Sequence, residues 1–250
     1  RHYIDEAVDS AQLCNAGELS PQEHYYYFAM SIHSANEIYR NNPFVRFVCV
    51  YTNWLRDAGA SFEHLHRQIL GIDRDSEEIV RGAELAATTP QVYEDYVAYL
   101  GDDCNYVICD NACAVAVADI GRPYPTIAIY SKSKSQRPHE HSPKEVRGFS
   151  DVVHAIHAAL GPEKSLNEEW YYSPPASEML LPWHVLIKWR NHRLAGIEGI
   201  VNIFPNEYSP MDVVEILVEK LFTLRQDGRI SHLNIGDECR QSDLALHYWR

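Results

Sequence analysis

The segment from Gly59 to Gln68 reads GASFEHLHRQ and holds the side chains best suited to chemistry. Side chains alternate between the two faces of a β-strand, so His64, His66 and Gln68 are expected on one face. Two imidazoles and a carboxamide suit a phosphate, because an imidazole can attack phosphorus and an amide can donate to a phosphoryl oxygen. A Gly-Ala-Ser loop before them lets backbone approach a ligand closely. The pattern predicts a phosphate-handling site.

Taken alone, the same spacing fits polar residues on a half-exposed strand equally well, because short motifs recur by chance. The elements before the motif give it a context. Ser20-Pro21-Gln22-Glu23 predicts the start of a helix, with Ser as the cap, Pro in the first turn and Glu completing a capping box. That helix is expected to end near Tyr39. Strands are expected at Phe44–Tyr51 and His64–Ile72.

The second half of the chain repeats this arrangement. Ser142-Pro143-Lys144-Glu145 is the same helix opening, and its helix is expected to reach Leu160. Strands are expected before this helix at 105–109, 114–120 and 126–130, and after it at 184–189 and 199–204. A Ser-Pro helix followed by strands in each half predicts a duplicated α+β unit. We place the first unit at residues 1–100 and the second, degenerate unit at 101–250.

Composition excludes several classes of protein. The chain has 250 residues and a formal charge of −13, whereas a dedicated nucleic-acid binder normally carries a basic field. It has no run of about 18 apolar residues, so an integral membrane protein is not expected. Six cysteines are too sparse for a disulfide scaffold, which favours reduced thiols and a cytoplasmic location.

The motif with its upstream residues resembles the galactose-1-phosphate uridylyltransferase family, a transferase branch of the histidine-triad superfamily. The family pattern is an Asn followed by Gly-x-Ser-x-x-His-Pro-His-x-Gln. Asn53, Gly59 and Ser61 match it, as do the two histidines and Gln68, and only Leu65 departs, at the proline position. The resemblance covers roughly residues 1–73 closely and the second half only in topology. It indicates a bacterial branch related to the sugar enzyme.

The resemblance implies a fold and a function. The fold would be α+β and histidine-triad-like, with two repeated units that each have an antiparallel sheet and a packed helix. The function would be that of a nucleotidyltransferase acting on nucleoside-diphosphate sugars, or on other nucleotides, through a covalent nucleotidyl-histidine. The acceptor would be a sugar phosphate or phosphate, and a homodimer is expected. The resemblance also implies a role in galactose metabolism, although residues 196–202 lack the family's hexose-contacting pattern.

The resemblance also assigns roles residue by residue. His66 would be the nucleophile, and Gln68 would hold the phosphoryl oxygens. Asn53, Gly59 and Ser61 would contact the diphosphate. Gln68 stands where the hydrolase branch has a third histidine, which favours transfer or phosphorolysis over hydrolysis.

Zinc is the cofactor that the resemblance implies. His2 and His64 occupy two positions that bind zinc in family members, where two upstream cysteines complete the site. Structural zinc takes four Cys or His ligands, so we expect the imidazoles of His2 and His64 to lie close enough to share one ion.

Two alternative functions remain at this stage. One is a nucleotide phosphorylase of the same superfamily, which would use free phosphate as acceptor. The other is a non-catalytic nucleotide-binding or regulatory protein. The second repeat favours that reading, because only His184 remains of a His-x-His pair, and we expect His184 to be packed. Other polar residues read as surface: Glu168-Glu169 as solvated acids, and His154 and His157 as a partly exposed helix face.

Overall fold

The computed structural model describes residues 14–62, 64–175, 177–178, 180–190 and 196–250. The helices are α1 (Pro21–Asn41), α2 (Glu77–Thr88), α3 (Val92–Ala98), α4 (Pro143–Leu160), α5 (Gly196–Val201) and α6 (Pro210–Gln226). The strands are β1 (Phe47–Trp54), β2 (Gln68–Ile72), β3 (Val107–Asp110), β4 (Ala114–Asp119), β5 (Thr126–Ser131), β6 (Leu166–Tyr171), β7 (His184–Trp189) and β8 (Asn234–Ile235). Across these residues, no helix combines the length and apolar character needed to cross a bilayer.

The long helices begin where their capping residues predict. Ser20 accepts a hydrogen bond from the Glu23 backbone N–H, and the Glu23 carboxylate accepts one from the Ser20 N–H in return. Ser142 and Glu145 form the same capping box at α4. Each box satisfies backbone donors that a helix start would otherwise leave unpaired.

The strands form one antiparallel sheet of eight, in the order β2-β1-β6-β7-β5-β4-β3-β8. The two halves of the chain meet at the β1–β6 pair, where Tyr51 lies opposite Glu169 and Asn53 opposite Asn167. On either side of this pair the same unit recurs, because α1 leads into β1 and β2 while α4 leads into β6 and β7. The division of the chain at residue 100 stays a prediction.

The two faces of the sheet are covered differently. Helices α1, α4 and α6 pack on one face along most of its width. On the other face α3 and the C-terminal segment cover β3, β4, β5 and part of β7. Strands β4 and β5 are therefore buried at every position, whereas β1 alternates between buried and half-buried side chains. The less covered end, at β2, β1 and β6, is where the motif lies.

Three elements differ from the sequence-based expectation. β2 begins at Gln68, so His64 and His66 lie in the segment before it, which belongs to no strand. β6 is a further strand, in the middle of the sheet, where no strand was expected. The strand expected at 199–204 is wrong: α5 occupies Gly196–Val201, and the residues after it are irregular.

Candidate functional site

The loop between β1 and the motif turns on two backbone positions with positive φ. Leu55, directly after β1, has φ 65° and ψ 165°, a conformation that is essentially restricted to glycine. Gly59 has φ 87°, in the left-handed region that a side chain disfavours. A strained residue persists only where its surroundings require it. The loop that carries Gly59 and the exposed Ser61 is thus held in one specific shape.

His66 is half-buried and oriented by its neighbours. Its Nδ1 donates a hydrogen bond to the His64 carbonyl oxygen at 2.9 Å, and its ring centroid lies 4.4 Å from that of Phe62. A carbonyl can only accept, so the Nδ1 position must carry the proton. In the neutral ring Nε2 then keeps a lone pair, the form that a nucleophilic histidine needs.

Gln68 follows at the first position of β2. The Tyr51 hydroxyl donates to its Oε1 at 2.9 Å, which leaves the amide nitrogen of Gln68 available to a ligand. Tyr51 lies directly opposite Gln68 on β1, so the pairing of the strands sets this contact. Tyr51 could not be predicted as part of the site, since nothing in a sequence shows which residue faces Gln68 across the sheet.

Asn53 lies further along the same face of β1. Its Oδ1 accepts a hydrogen bond of 2.7 Å from Nδ2 of Asn167 on β6. A Cβ added to Gly59 would lie 4.0 Å from Asn53 Nδ2, which places the loop over the Asn53 amide. The structure therefore places Gly59 close to the Asn53 amide.

The expected zinc pair falls partly outside the described residues, because His2 lies before residue 14. His64 is exposed, donates from Nδ1 to the Leu65 carbonyl at 3.3 Å, and stacks on Phe62 at a centroid distance of 4.5 Å. Within the described ranges no three His, Cys, Asp or Glu side chains are grouped to hold a metal. His64 can thus offer one imidazole nitrogen to a metal ion.

Arg67, between His66 and Gln68, points to the opposite face and is buried beneath the motif. Its guanidinium contacts the Glu168 carboxylate at 2.5 Å, with both side chains almost fully inaccessible. It also lies over the rings of Tyr27 and Trp170, 4.5 and 5.0 Å from their centroids. Alternation along the strand predicts that Arg67 points away from the histidines. The buried ion pair with Glu168 then holds the Arg67 side chain in place beneath the motif.

Glu168 itself corrects an expectation. It was expected to be a solvated acid, but its side chain is fully buried and also accepts hydrogen bonds from His157 Nε2 at 2.7 Å and Trp170 Nε1 at 2.6 Å. Burial raises the pKa of Glu168, but the Arg67 guanidinium and these donors outweigh it and hold the pKa well below its usual range. The carboxylate is therefore charged at neutral pH.

The histidines on α4 were expected on a partly exposed face, and this was wrong. His154 and His157 are buried together with His24 of α1, and the ring centroids of His24 and His154 are 5.2 Å apart. Burial, followed by the neighbouring charges of His154 and His157, lowers the pKa of His24 well below its usual value. Burial likewise lowers the pKa of His154 to about 4.

His184 is packed, as expected. Its ring stacks between Tyr171 and Tyr130 at centroid distances of 5.2 and 5.1 Å, and its Nδ1 donates to the Pro182 carbonyl at 2.9 Å. Burial lowers the pKa of His184 to about 4. It lines a cavity of about 740 Å³ that also contains Arg122.

These lowered pKa values predict that the protein loses stability in mild acid. Below pH 6.5 the unfolded chain binds protons at His24, His154 and His184 that the folded chain excludes, so unfolding becomes easier as pH falls. At pH 5.5 a histidine whose pKa is lowered to about 4 should cost about 1.4 kcal/mol relative to pH 8, so His154 and His184 together should cost about 3 kcal/mol, and His24 adds to this loss.

Urea denaturation at pH 8.0 and 5.5 measures this effect, in a range above the titration of the carboxylates. His154→Gln should reduce the pH dependence, because it removes one of the histidines whose pKa is lowered by burial. His33→Gln, at an exposed position on α1, is the matched control. Equal unfolding free energies at the two pH values would contradict the prediction.

Comparisons with known proteins agree with this fold. A family model described as Domain of unknown function (DUF4921) matches residues 1–248. No curated protein matches the chain. A solved uridylyltransferase structure matches with a TM-score of 0.72 and 15% identity, covering 89% of this chain and 72% of that one.

Two structures from Arabidopsis thaliana match as well. An ADP-glucose phosphorylase with bound ADP-glucose has a TM-score of 0.66 and 18% identity, covering 82% of this chain and 67% of the other. A galT-like protein has a TM-score of 0.68 and 17% identity, covering 82% and 71%. At these identities the likeness shows the fold alone. The expected α+β, histidine-triad-like fold is confirmed.

Proposed function

The chain belongs to the DUF4921 family, and from its fold and motif we propose that it is a nucleotidyltransferase acting on nucleotide sugars through a covalent nucleotidyl-His66. The observation that carries the proposal is the hydrogen bond from His66 Nδ1 to the His64 carbonyl. It leaves Nε2 as the nucleophilic atom.

The proposed reaction has two steps. In the first, Nε2 of His66 attacks the α-phosphorus of a nucleoside-diphosphate sugar, and the bond from that phosphorus to the bridging oxygen breaks. The sugar phosphate leaves with the bonding electrons, and a phosphoramidate joins the nucleotide to His66. The ring becomes cationic, and its Nδ1–H continues to donate to the His64 carbonyl. In the second step an acceptor phosphate oxygen attacks phosphorus, the N–P bond breaks, and the neutral imidazole returns.

Intact-mass spectrometry tests the proposal directly. Incubation with UDP-glucose or ADP-glucose should add the mass of one nucleotidyl group, which is a nucleoside monophosphate less one water, and the adduct should be labile in acid, as phosphoramidates are. Subsequent addition of a sugar 1-phosphate should discharge it and regenerate a nucleotide sugar. A non-catalytic binding protein would show no adduct with any nucleotide sugar, and that result would contradict the proposal.

Phosphorolysis is the second candidate, favoured by the match to an ADP-glucose phosphorylase. Both activities share the adduct, so the acceptor decides between them. Discharge of the adduct by inorganic phosphate to a nucleoside diphosphate would indicate a phosphorylase, whereas discharge only by a sugar phosphate would indicate a transferase.

We expect Gln68→Ala to slow formation of the adduct about 10²–10³-fold, because it removes one donor to the charge that develops on the phosphoryl oxygens. The adduct should still reach full occupancy, since the nucleophile remains. Rapid-quench mass spectrometry measures the rate. Gln136→Ala is a control at a distant half-buried glutamine, one that donates to the Tyr248 carbonyl. Equal rates in parent and Gln68→Ala would exclude a role for the amide.

A zinc ion at His2 and His64, a bacterial origin, a cytoplasmic location and a homodimer remain proposals. Zinc would act as a structural centre near the start of the motif. Elemental analysis of purified protein, compared with His64→Ala, tests the metal without relying on activity: one equivalent of zinc in the parent and less in the variant is the expected result.

A further inference from the structure

Asn167 on β6 makes three hydrogen bonds that determine the orientation of its side-chain amide. Its Nδ2 donates to the Ala58 carbonyl at 2.8 Å and to Asn53 Oδ1 at 2.7 Å, and its Oδ1 accepts from Arg190 at 2.7 Å. A backbone carbonyl can only accept and a guanidinium can only donate. The amide of Asn167 therefore has a single orientation that satisfies both.

The orientation of the Asn167 amide determines the orientation of the Asn53 amide. The remaining N–H of Asn167 points at the Asn53 side chain, so Asn53 must present its oxygen to Asn167. The Asn53 nitrogen then faces the other way, toward the loop over Gly59. Asn53 can therefore donate two N–H groups to a ligand. A diphosphate needs such donors, because its oxygens accept hydrogen bonds.

We propose that Asn167 is a positioning residue, contributed by the second half of the chain, which holds Asn53 as a hydrogen-bond donor to the diphosphate. The inference rests on the proposed function, because it takes a phosphate ester as the ligand of Asn53. The same side chain also binds the Ala58 carbonyl, so one amide fixes both the donor and the loop that faces it. Arg190 keeps the amide from rotating.

Asn167→Asp tests whether the side chain at position 167 must donate a hydrogen bond to Asn53, and it changes the shape of that side chain very little. The new carboxylate keeps its contact with Arg190 but cannot donate, so Asn53 is expected to rotate and donate to it instead. Asn53 then turns its oxygen toward the phosphate. We expect KM for the nucleotide sugar to rise about 10–100-fold, as for loss of a hydrogen bond to a charged group. The maximal rate of adduct formation should change less.

A double-mutant cycle separates this mechanism from simple charge repulsion. If Asn167 acts through Asn53, then Asn167→Asp should have a clearly smaller effect once Asn53 is replaced by Ala, and the remainder comes from the lost hydrogen bond to the Ala58 carbonyl. Repulsion by a new carboxylate would lower affinity to the same extent in both backgrounds. Asn111→Asp is the matched structural control, since Asn111 likewise donates to a backbone carbonyl, that of Gly148, away from the site.

The readout is the rate of adduct formation as a function of UDP-glucose and ADP-glucose concentration. Absence of an adduct in the parent protein contradicts the proposed function, and this inference with it. An active parent whose KM is unchanged by Asn167→Asp, or whose two substitutions are additive, overturns the inference alone. A rise in KM that is clearly smaller in the Asn53→Ala background supports it.

Discussion

His66→Asn should form no nucleotide adduct and should exchange label between nucleotide sugar and sugar phosphate several orders of magnitude more slowly than the parent. Asparagine has a similar size and remains polar, but it has no nitrogen lone pair able to attack phosphorus. Loss of a covalent nucleophile removes the route through the intermediate and is among the largest single effects in catalysis. Intact-mass spectrometry and isotope exchange measure the two quantities.

The fold and the nucleotide affinity should survive this substitution. His66 is half-buried and its ring contacts Phe62, so its loss should change the free energy of unfolding by about 1 kcal/mol or less. His33→Asn, exposed on α1, controls for replacing a histidine as such. An unchanged exchange rate in His66→Asn would show that another residue is the nucleophile.

The functional motif could be read from sequence because its information is local. Gly59 is needed where the backbone has positive φ, and alternation along an extended segment separates His66 from Arg67. The Ser-Pro helix starts at Ser20 and Ser142 were likewise predictable, because a capping box lies within four residues. Predictions of this kind depend only on neighbours in the chain.

The partners of the motif could not be predicted, because they come from β6. The sequence of this strand, LNEEWY, places Asn167 on one face and Glu168 on the other. Two adjacent acids resemble solvated surface, and only the pairing of β6 with β1 shows that Glu168 meets Arg67. Where a polar residue is buried depends on the register of strands more than 100 residues apart, which no local pattern contains.

The same reason explains the histidines of α4. His154 and His157 lie on the helix face that packs against α1, and their burial follows from that contact. A spacing of three residues predicts a shared face but does not show which way the face points. The strand predicted at 199–204 is wrong for a different reason. The Ile and Val residues of this segment suit a strand, yet the chain forms α5 there and does not pair with the sheet.

Arg67→Met should lower the free energy of unfolding by about 3–5 kcal/mol, the cost of leaving one member of a buried ion pair without its partner. Methionine fills much of the same space among Tyr27 and Trp170, so the loss comes mainly from the charge of Glu168. Urea denaturation at pH 7 measures it. Arg40→Met, at an exposed ion pair on α1, is the matched control and should cost less than about 1 kcal/mol.

Two further measurements identify the cause as charge. The double variant Arg67→Met/Glu168→Gln should be more stable than Arg67→Met, because it removes the uncompensated carboxylate.

The second measurement is the pH dependence of stability. In the parent Arg67 lowers the pKa of Glu168, so the ion pair stabilises the fold fully above pH ~4.3, and this stabilisation is lost as pH falls below that value. Without Arg67, burial would dominate and raise the pKa, so the deficit of Arg67→Met should shrink between pH 7 and pH 5. A deficit that stays constant over this range, with no recovery in the double variant, would mean that Arg67 acts through packing.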